Sequence, residues 1–576
     1  MGKYSEEKNV QILMAVLKAN GIRKVVVSPG ATNISFVGSL MNDGEFELYS
    51  AVDERGAAYI ACGLASESGE AVVITCTGAT ASRNYLPGLT EAYHRKLPIL
   101  AVTASQDFVR RTNLVPQVID RSNPPADAVR LQVEVPIVRT ESDEYEATLK
   151  INKAVLELFR HGGGPVHIDL ASAYMNSFPV NDLSHVRIMK RFFPDDSLPE
   201  IRKNARVAVI VGNHPKWSAS LTEACDRFCA AYNAVVLVDH SSHYWGNYRV
   251  LPTIVSCQQQ HKSELFNIDL LIHIGEEHGD YYTEPPMHGV KEVWRVSPDG
   301  ELRDTYGKLT KVFEMREESF FRAYAEKRKG SEEKHEYLDA FKKETKELYN
   351  MLPELPFSNI WLAQQVIPRF PSDACLELGV SNTMRAWTFF DFEKETYTLA
   401  NTGCRGIDGA IPTLLGMSLA EPDRLHFAVM GDLTFFYSFN VLGNHHIGKN
   451  LRILLVNNGC GAEFHMYSHR AMKACEQDHG KINQFVAAGG HMGYKSRQLV
   501  KHFAEDLGFH YLTASGKKEF LRELPAFLDE KDRSQPMIFE VFTDIKDESD
   551  ALYSIRNMKV DTQAALKGKL KSFLGR

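Results

Sequence analysis

An α/β fold of three doubly wound, parallel-sheet domains is predicted for this chain, with boundaries near 1–185, 200–330 and 355–576. Three observations carry that expectation. Short apolar runs rich in β-branched residues alternate with longer stretches of helical periodicity, the pattern of parallel strands joined by crossover helices. The runs fall into three sets, parted by two polar connectors. The length, 576 residues, suits three or four domains.

The first set holds four predicted strands: KVVVS (24–28), AVVITCT (71–77), ILAVTAS (99–105) and VHIDLA (166–171). Gly162 to Gly164, just before the last of these, read as a turn into a buried strand. The basic, proline-bearing stretch 185–200 closes the set. The second set is VAVIVG (207–212), AVVLVDH (234–240), LLIHIG (270–275) and EVWRVS (292–297). Its first turn, VAVIVGNHP, lacks the three-glycine dinucleotide fingerprint, which argues against FAD or NAD there. Residues 324–350 interleave acids and bases and read as a solvated connecting helix. The third set is ACLELG (374–379), LHFAVMGD (425–432), RILLVNNG (452–459) and MIFEVFT (537–543). The tail from about Ser549 shows no strong pattern.

Bulk properties exclude several classes. A net charge of -7 disfavours a nucleic-acid surface built on bulk positive charge. No run of ~18 apolar residues offers a membrane span. The start, MGKYSEEKNV, lacks the basic-then-apolar pattern of a signal peptide. Nine scattered cysteines suit free thiols, so the expected location is the cytoplasm. Cys225 and Cys229 are spaced like neighbours on one helix face, a packing pattern without the partners of a metal site.

The third set carries the chemistry. One predicted strand delivers Gly431 and Asp432 at its carboxyl end, and the next delivers Asn457 and Asn458. Ligands of open parallel sheets bind just beyond the carboxyl ends of strands. A right-handed crossover makes the two strands neighbours. Asp432 and Asn458 then converge on a hard cation, and Mg²⁺ takes few protein oxygens and fills its shell with phosphate oxygens. Gly431 allows close backbone approach, and the amides of Leu433 and Thr434 open a helix towards a phosphate. The residues themselves thus read as a Mg²⁺-held diphosphate site, with a helix-capping Asp and a plain Asn-Asn-Gly turn as the alternative.

Gly-Asp followed at this spacing by Asn-Asn resembles the metal and diphosphate motif of thiamine diphosphate (ThDP) enzymes. The resemblance implies Asp432, Asn458 and the carbonyl of Cys460 as metal ligands. DERGAAYIACG (53–63) looks like the pyrimidine-binding segment of the same enzymes, which makes Glu54 the catalytic acid at the aminopyrimidine. The domain order, pyrimidine then middle then diphosphate, resembles the decarboxylase and acetolactate synthase group. Within it the motifs come nearest the menaquinone-pathway carboligases, the SEPHCHC synthases. GVSNTMR (379–385) then places Ser381 and Asn382 at the cofactor and Arg385 at a substrate carboxylate. ANTGCRGIDG (400–409) makes Ile407 the apolar wedge that bends the cofactor, and GAEF (461–464) puts Phe464 beside it. Asn33 in SPGATN, Gln117 in PQVIDR, Arg385 and Arg405 are the implied substrate contacts. Arg83 has no counterpart and reads as an exposed helix residue.

Departures from that family cluster on the substrate side. Ala31 and Thr32 replace a Ser-Arg pair, Thr402 replaces an Arg, and Ala462 and Glu463 replace an amide or apolar pair. A dicarboxylate acceptor calls for arginines, so these departures bear on the acceptor and leave the cofactor chemistry untouched. The implied activity is ThDP- and Mg²⁺-dependent decarboxylation of a 2-oxo acid, with carboligation of the acyl-anion equivalent to an acceptor. The alternatives are a simple 2-oxo acid decarboxylase or acetolactate synthase-like enzyme, an FAD-dependent oxidase of the same fold, and a non-catalytic binding protein. The family builds its site across a subunit interface, so a homodimer or dimer of dimers is expected. His445 and His446 are expected on the helix between the two motif strands. His465, His469, His479 and His491 follow the second motif as candidate proton carriers.

Overall fold

A computed structural model describes residues 2–175, 177–329, 334–474, 479–491 and 495–559. The chain divides into two compact units, Met1–Phe192 with Thr310–Val312, and Phe193–Leu309 with Phe313–Arg576. The first unit carries a six-stranded parallel sheet. In spatial order its strands are Glu47–Ser50, Lys24–Val27, Val72–Cys76, Ile99–Ser105, Val166–Ala171 and Leu131–Val135. Val72–Cys76, Ile99–Ser105 and Val166–Ala171 are buried at every position. That is the mark of strands covered on both faces, and it explains their unbroken apolar runs.

The second unit carries the other two sheets. In its middle sheet, Arg249–Val250, Val235–Leu237, Val207–Val211, Leu270–Ile274 and Glu292–Ser297 run parallel in that order. The last sheet has six parallel strands: Tyr397–Leu399, Ala374–Leu378, Leu425–Gly431, Leu451–Asn457, Met537–Phe542 and His510–Ala514. Its connectivity is that of the first sheet. In each, the strand earliest in sequence sits second in space, with the third strand in sequence beside it. The chain reverses its winding direction between those two strands, which opens a crevice at their carboxyl ends. Three parallel-sheet α/β layers are therefore present, as the strand runs indicate.

Three sequence expectations are corrected. Residues 324–350 do not make one solvated helix. They supply the end of helix Glu317–Lys327 and a separate helix Glu336–Asn350, and each buries a face through Phe320, Phe321 and Tyr324 or Tyr337, Phe341 and Leu348. Interleaved charge on the outer faces hid that stripe. The tail from Ser549 is not patternless: helix Ile545–Arg556 is capped by Asp544 and buries Ala551, Leu552 and Ile555. His445 and His446 do not lie on a helix, because the helical stretch ends at Gly443 and both residues sit exposed in the following turn. Cys225 and Cys229 share the buried face of helix Ala219–Tyr232, as their spacing indicates.

Candidate active site

At the crevice of the last sheet lies a cavity of about 190 Å³. The turns after three neighbouring strands line it: Val380 to Thr383, Gly431 to Thr434, and Asn458 to Phe464, with Ile407 from a fourth segment. It gathers every residue expected at the diphosphate end of the cofactor: Ser381, Asn382, Ile407, Gly431, Asp432, Leu433, Thr434, Asn458, Cys460 and Phe464.

Each is held there by local structure. Gly431 is the extended residue that ends its strand, and Asp432 opens helix Asp432–Ser438 at the cavity wall. Gly459, at φ 77°, turns the chain directly after Asn458, in the left-handed region where a side chain is strained. Its amide donates to Asn457 Oδ1 at 3.2 Å. Asn457 Nδ2 in turn donates to buried Glu540 at 2.7 Å, and Tyr511 donates to the other Glu540 oxygen at 2.7 Å. Ser381 adopts φ 65° as the residue entering helix Asn382–Trp387. A non-glycine residue in that region is a strained backbone of the kind held at functional sites. On the Asn382 side, Glu548 accepts from the Asn359 amide at 2.9 Å and from Thr543 Oγ1 at 2.8 Å, and its carboxyl also meets the Asn382 side chain.

The donor set fits a Mg²⁺ diphosphate. Asp432 is 4 % exposed, and burial pushes its carboxyl up to about 7, against the pull of the Leu433 and Gly459 amides. Among the described residues it has no cationic partner, so it is a buried carboxylate short of a positive charge. One carboxylate, one amide and one backbone carbonyl are oxygen donors of the kind Mg²⁺ prefers. Burial pushes the Cys460 thiol up to about 12.

The expected substrate residues separate. Arg385 is buried on helix Asn382–Trp387, donates to Glu463 Oε1 at 2.7 Å, and packs 4.6 Å from the Tyr281 ring centroid. Arg405 packs on the same ring at 4.5 Å and donates to the His278 carbonyl at 3.2 Å. It borders a different cavity, of about 160 Å³. In the first unit, Glu54 begins helix Glu54–Ser68 behind its capping residue Asp53 and accepts from Asn84 Nδ2 at 3.2 Å. Asn33 is buried, with Nδ2 donating to the Ser28 carbonyl at 3.3 Å and Oδ1 lacking a partner among the described residues. Gln117 is exposed, at φ 67°. Arg83 is exposed on helix Thr80–Asn84 and donates to the Asp120 carbonyl.

Sequence reading passed over Glu540, Glu548 and Tyr281. The first had a visible signal, an acid amid the apolar run MIFEVFT. The middle-sheet turn at Gly212 is occupied by the chain itself: a Cβ there would lie 1.9 Å from the Glu276 carbonyl oxygen, and the Asn213 amide donates to the Glu277 carbonyl at 3.0 Å.

Comparison with known proteins identifies the family. The "Thiamine pyrophosphate enzyme, N-terminal TPP binding domain" family matches residues 8–123, and the corresponding C-terminal TPP binding domain matches 379–539. The 2-succinyl-5-enolpyruvyl-6-hydroxy-3-cyclohexene-1-carboxylate synthase of Bacteroides fragilis is 30% identical, over 94% of this chain and 97% of its own. The synthase of the same name from Phocaeicola vulgatus is 29% identical, over 94% and 96%. Among solved structures, the thiamine diphosphate-dependent 4-hydroxybenzoylformate decarboxylase of Rhodococcus jostii RHA1 shares 16% identity over 93% of this chain and 99% of its own, with a TM-score of 0.38. This chain belongs to the thiamine diphosphate-dependent enzymes. It is a C–C bond-forming enzyme that takes thiamine diphosphate with a divalent cation.

Proposed function

We propose that the chain decarboxylates a 2-oxo acid and joins the resulting acyl-anion equivalent to an acceptor, the reaction type of the SEPHCHC synthases it resembles. The observation that carries the reading is the cavity at the crevice of the last sheet, with buried, cation-free Asp432 beside Asn458 and the Cys460 carbonyl. Asp432, Asn458 and that carbonyl would hold Mg²⁺, and the backbone after Gly431 would receive the diphosphate. When bound, the cofactor supplies the electron sink that decarboxylation of a 2-oxo acid requires. Glu54 would meet the cofactor's pyrimidine ring and exchange a proton with it there. Phe464 and Ile407 give the cavity apolar walls that limit water at the reacting centre. Arg385 is the cation nearest the cavity for a substrate carboxylate.

The site's parts are assigned to three domains, near 1–185, 200–330 and 355–576, in a cytoplasmic homo-oligomer whose sites lie at subunit interfaces. Exposed apolar residues around Glu54 support the last point: Val52, Tyr59 and Ile60 are 83, 47 and 46 % exposed. The test is to incubate the protein with ThDP, Mg²⁺ and a panel of 2-oxo acids, with and without isochorismate, and to follow CO₂ and products by mass spectrometry. Release of CO₂ with a ligated product supports the reading. Release of a free aldehyde alone points to a simple decarboxylase, and no release from any acid overturns the proposal.

A further inference from the structure

Glu463 lines the cofactor cavity between Ala462 and Phe464. Its carboxylate takes the Arg385 guanidinium at 2.7 Å, with side-chain exposures of 22 % for the acid and 11 % for the base. Arg385 itself is not on the cavity wall; Tyr281 covers it on another side. Towards a bound substrate the pair therefore presents its acid, with the base behind it. The other arginine on Tyr281, Arg405, borders the separate cavity. A carboxylate on a substrate needs a free guanidinium, best engaged through two parallel hydrogen bonds. Here the buried guanidinium already has a carboxylate, and a second one meets the negative charge of Glu463 at short range.

We propose that Glu463 is a specificity-determining residue: by occupying Arg385 it makes the cavity discriminate against a donor acid that carries a second, distal carboxylate. The inference rests on the reading of Arg385 as the cation nearest the substrate. It implies a preferred donor with an uncharged side chain, and it predicts that freeing Arg385 opens the site to dicarboxylates.

The probes are butyrate and glutarate, which resemble the two donor classes but lack the 2-oxo group and are not turned over. Their dissociation constants are measured by calorimetry on the ThDP- and Mg²⁺-loaded protein. Glu463→Gln keeps an acceptor for Arg385 without the charge, and Glu463→Ala releases it altogether. Both variants should bind glutarate at least about tenfold more tightly than the unmodified protein, a change of about 1.4 kcal/mol, with butyrate within about twofold. The double variant Arg385→Gln/Glu463→Gln should lose that gain. Equal changes for both acids, no change in either single variant, or a gain that persists without Arg385 would overturn the proposal. Because the readout is binding, absence of CO₂ from every 2-oxo acid would sink the proposed function without affecting this result.

Discussion

Asp432 shows how one residue couples protons to the cation. Its carboxyl is raised by burial from an ordinary 3.8 to about 7. A raised acid holds its proton in the folded chain while the unfolded chain has released it, so this group's contribution to folded stability is lost as pH rises from about 4 to about 7. In the proposed site Mg²⁺ would require the carboxylate and compete with that proton. The expected result is a Mg²⁺ affinity, measured by calorimetry with ThDP present, that rises about tenfold per pH unit between pH 5 and 7 and then levels off. A flat profile would mean that Asp432 does not hold the cation. At the pyrimidine end, Glu54→Gln should cut turnover at least about 100-fold, the range for a general acid–base group. Its ThDP affinity should stay within a few-fold, and comparable losses in both would recast Glu54 as a binding residue only. The places of these two residues, at a strand end and a helix start, were legible in the sequence. Glu463 was legible as a departure, but its pairing with Arg385 was not, because nothing in the sequence says which way a buried base points.

At the scale of elements, the strands of the last sheet do two jobs. Their apolar faces build the cores on either side, and their carboxyl ends deliver the site. Ala374–Leu378 illustrates the tension between the two. Leu376 and Leu378 pack in one core, while Glu377 points the other way, fully buried, with neither oxygen hydrogen-bonded among the described residues. Burial alone raises its carboxyl from 4.5 to about 8. The folded protein keeps this proton over a range in which the unfolded chain has lost it. Stability should therefore fall as pH rises from about 4.5 to 8, by at most about 1.4 kcal/mol per pH unit. Glu377→Leu should flatten that slope and be more stable than the unmodified protein at pH 8 in denaturant unfolding. An unchanged slope would assign the pH dependence elsewhere. The four central strands were readable from apolar runs, with bounds close to those observed, whereas the edge strands Tyr397–Leu399 and His510–Ala514, short or partly exposed, were not. The helices of residues 317–350 and 545–556 were read less well, because their buried stripes are narrow and their outer faces densely charged. With the last helix went Glu548, which braces Asn382.

The whole molecule repeats one design. The first and last sheets share a strand order, and each opens a crevice at the same topological place. The sequence displayed this only as three sets of strands, since spatial order depends on long-range pairings that no local pattern encodes. The acid assigned to the pyrimidine ring belongs to the first sheet's unit and the cation ligands to the last sheet's unit. The exposed apolar residues near Glu54 argue that a second copy covers them. Sedimentation should give a dimer or tetramer, and Ile60→Asp should shift the mass towards monomer with a matching loss of turnover. A fully active monomer would contradict the interface reading.

The central proposal is that Asp432, Asn458 and the Cys460 carbonyl hold the cation of ThDP and that a Glu54 carboxyl meets its pyrimidine ring. The most direct test is a crystal structure grown with ThDP and Mn²⁺ in place of Mg²⁺. The account predicts an anomalous peak at about 2.1 Å from oxygens of Asp432 and Asn458, with a Glu54 carboxyl hydrogen-bonded to the pyrimidine ring. A peak elsewhere, or a pyrimidine ring remote from every copy of Glu54, would contradict it.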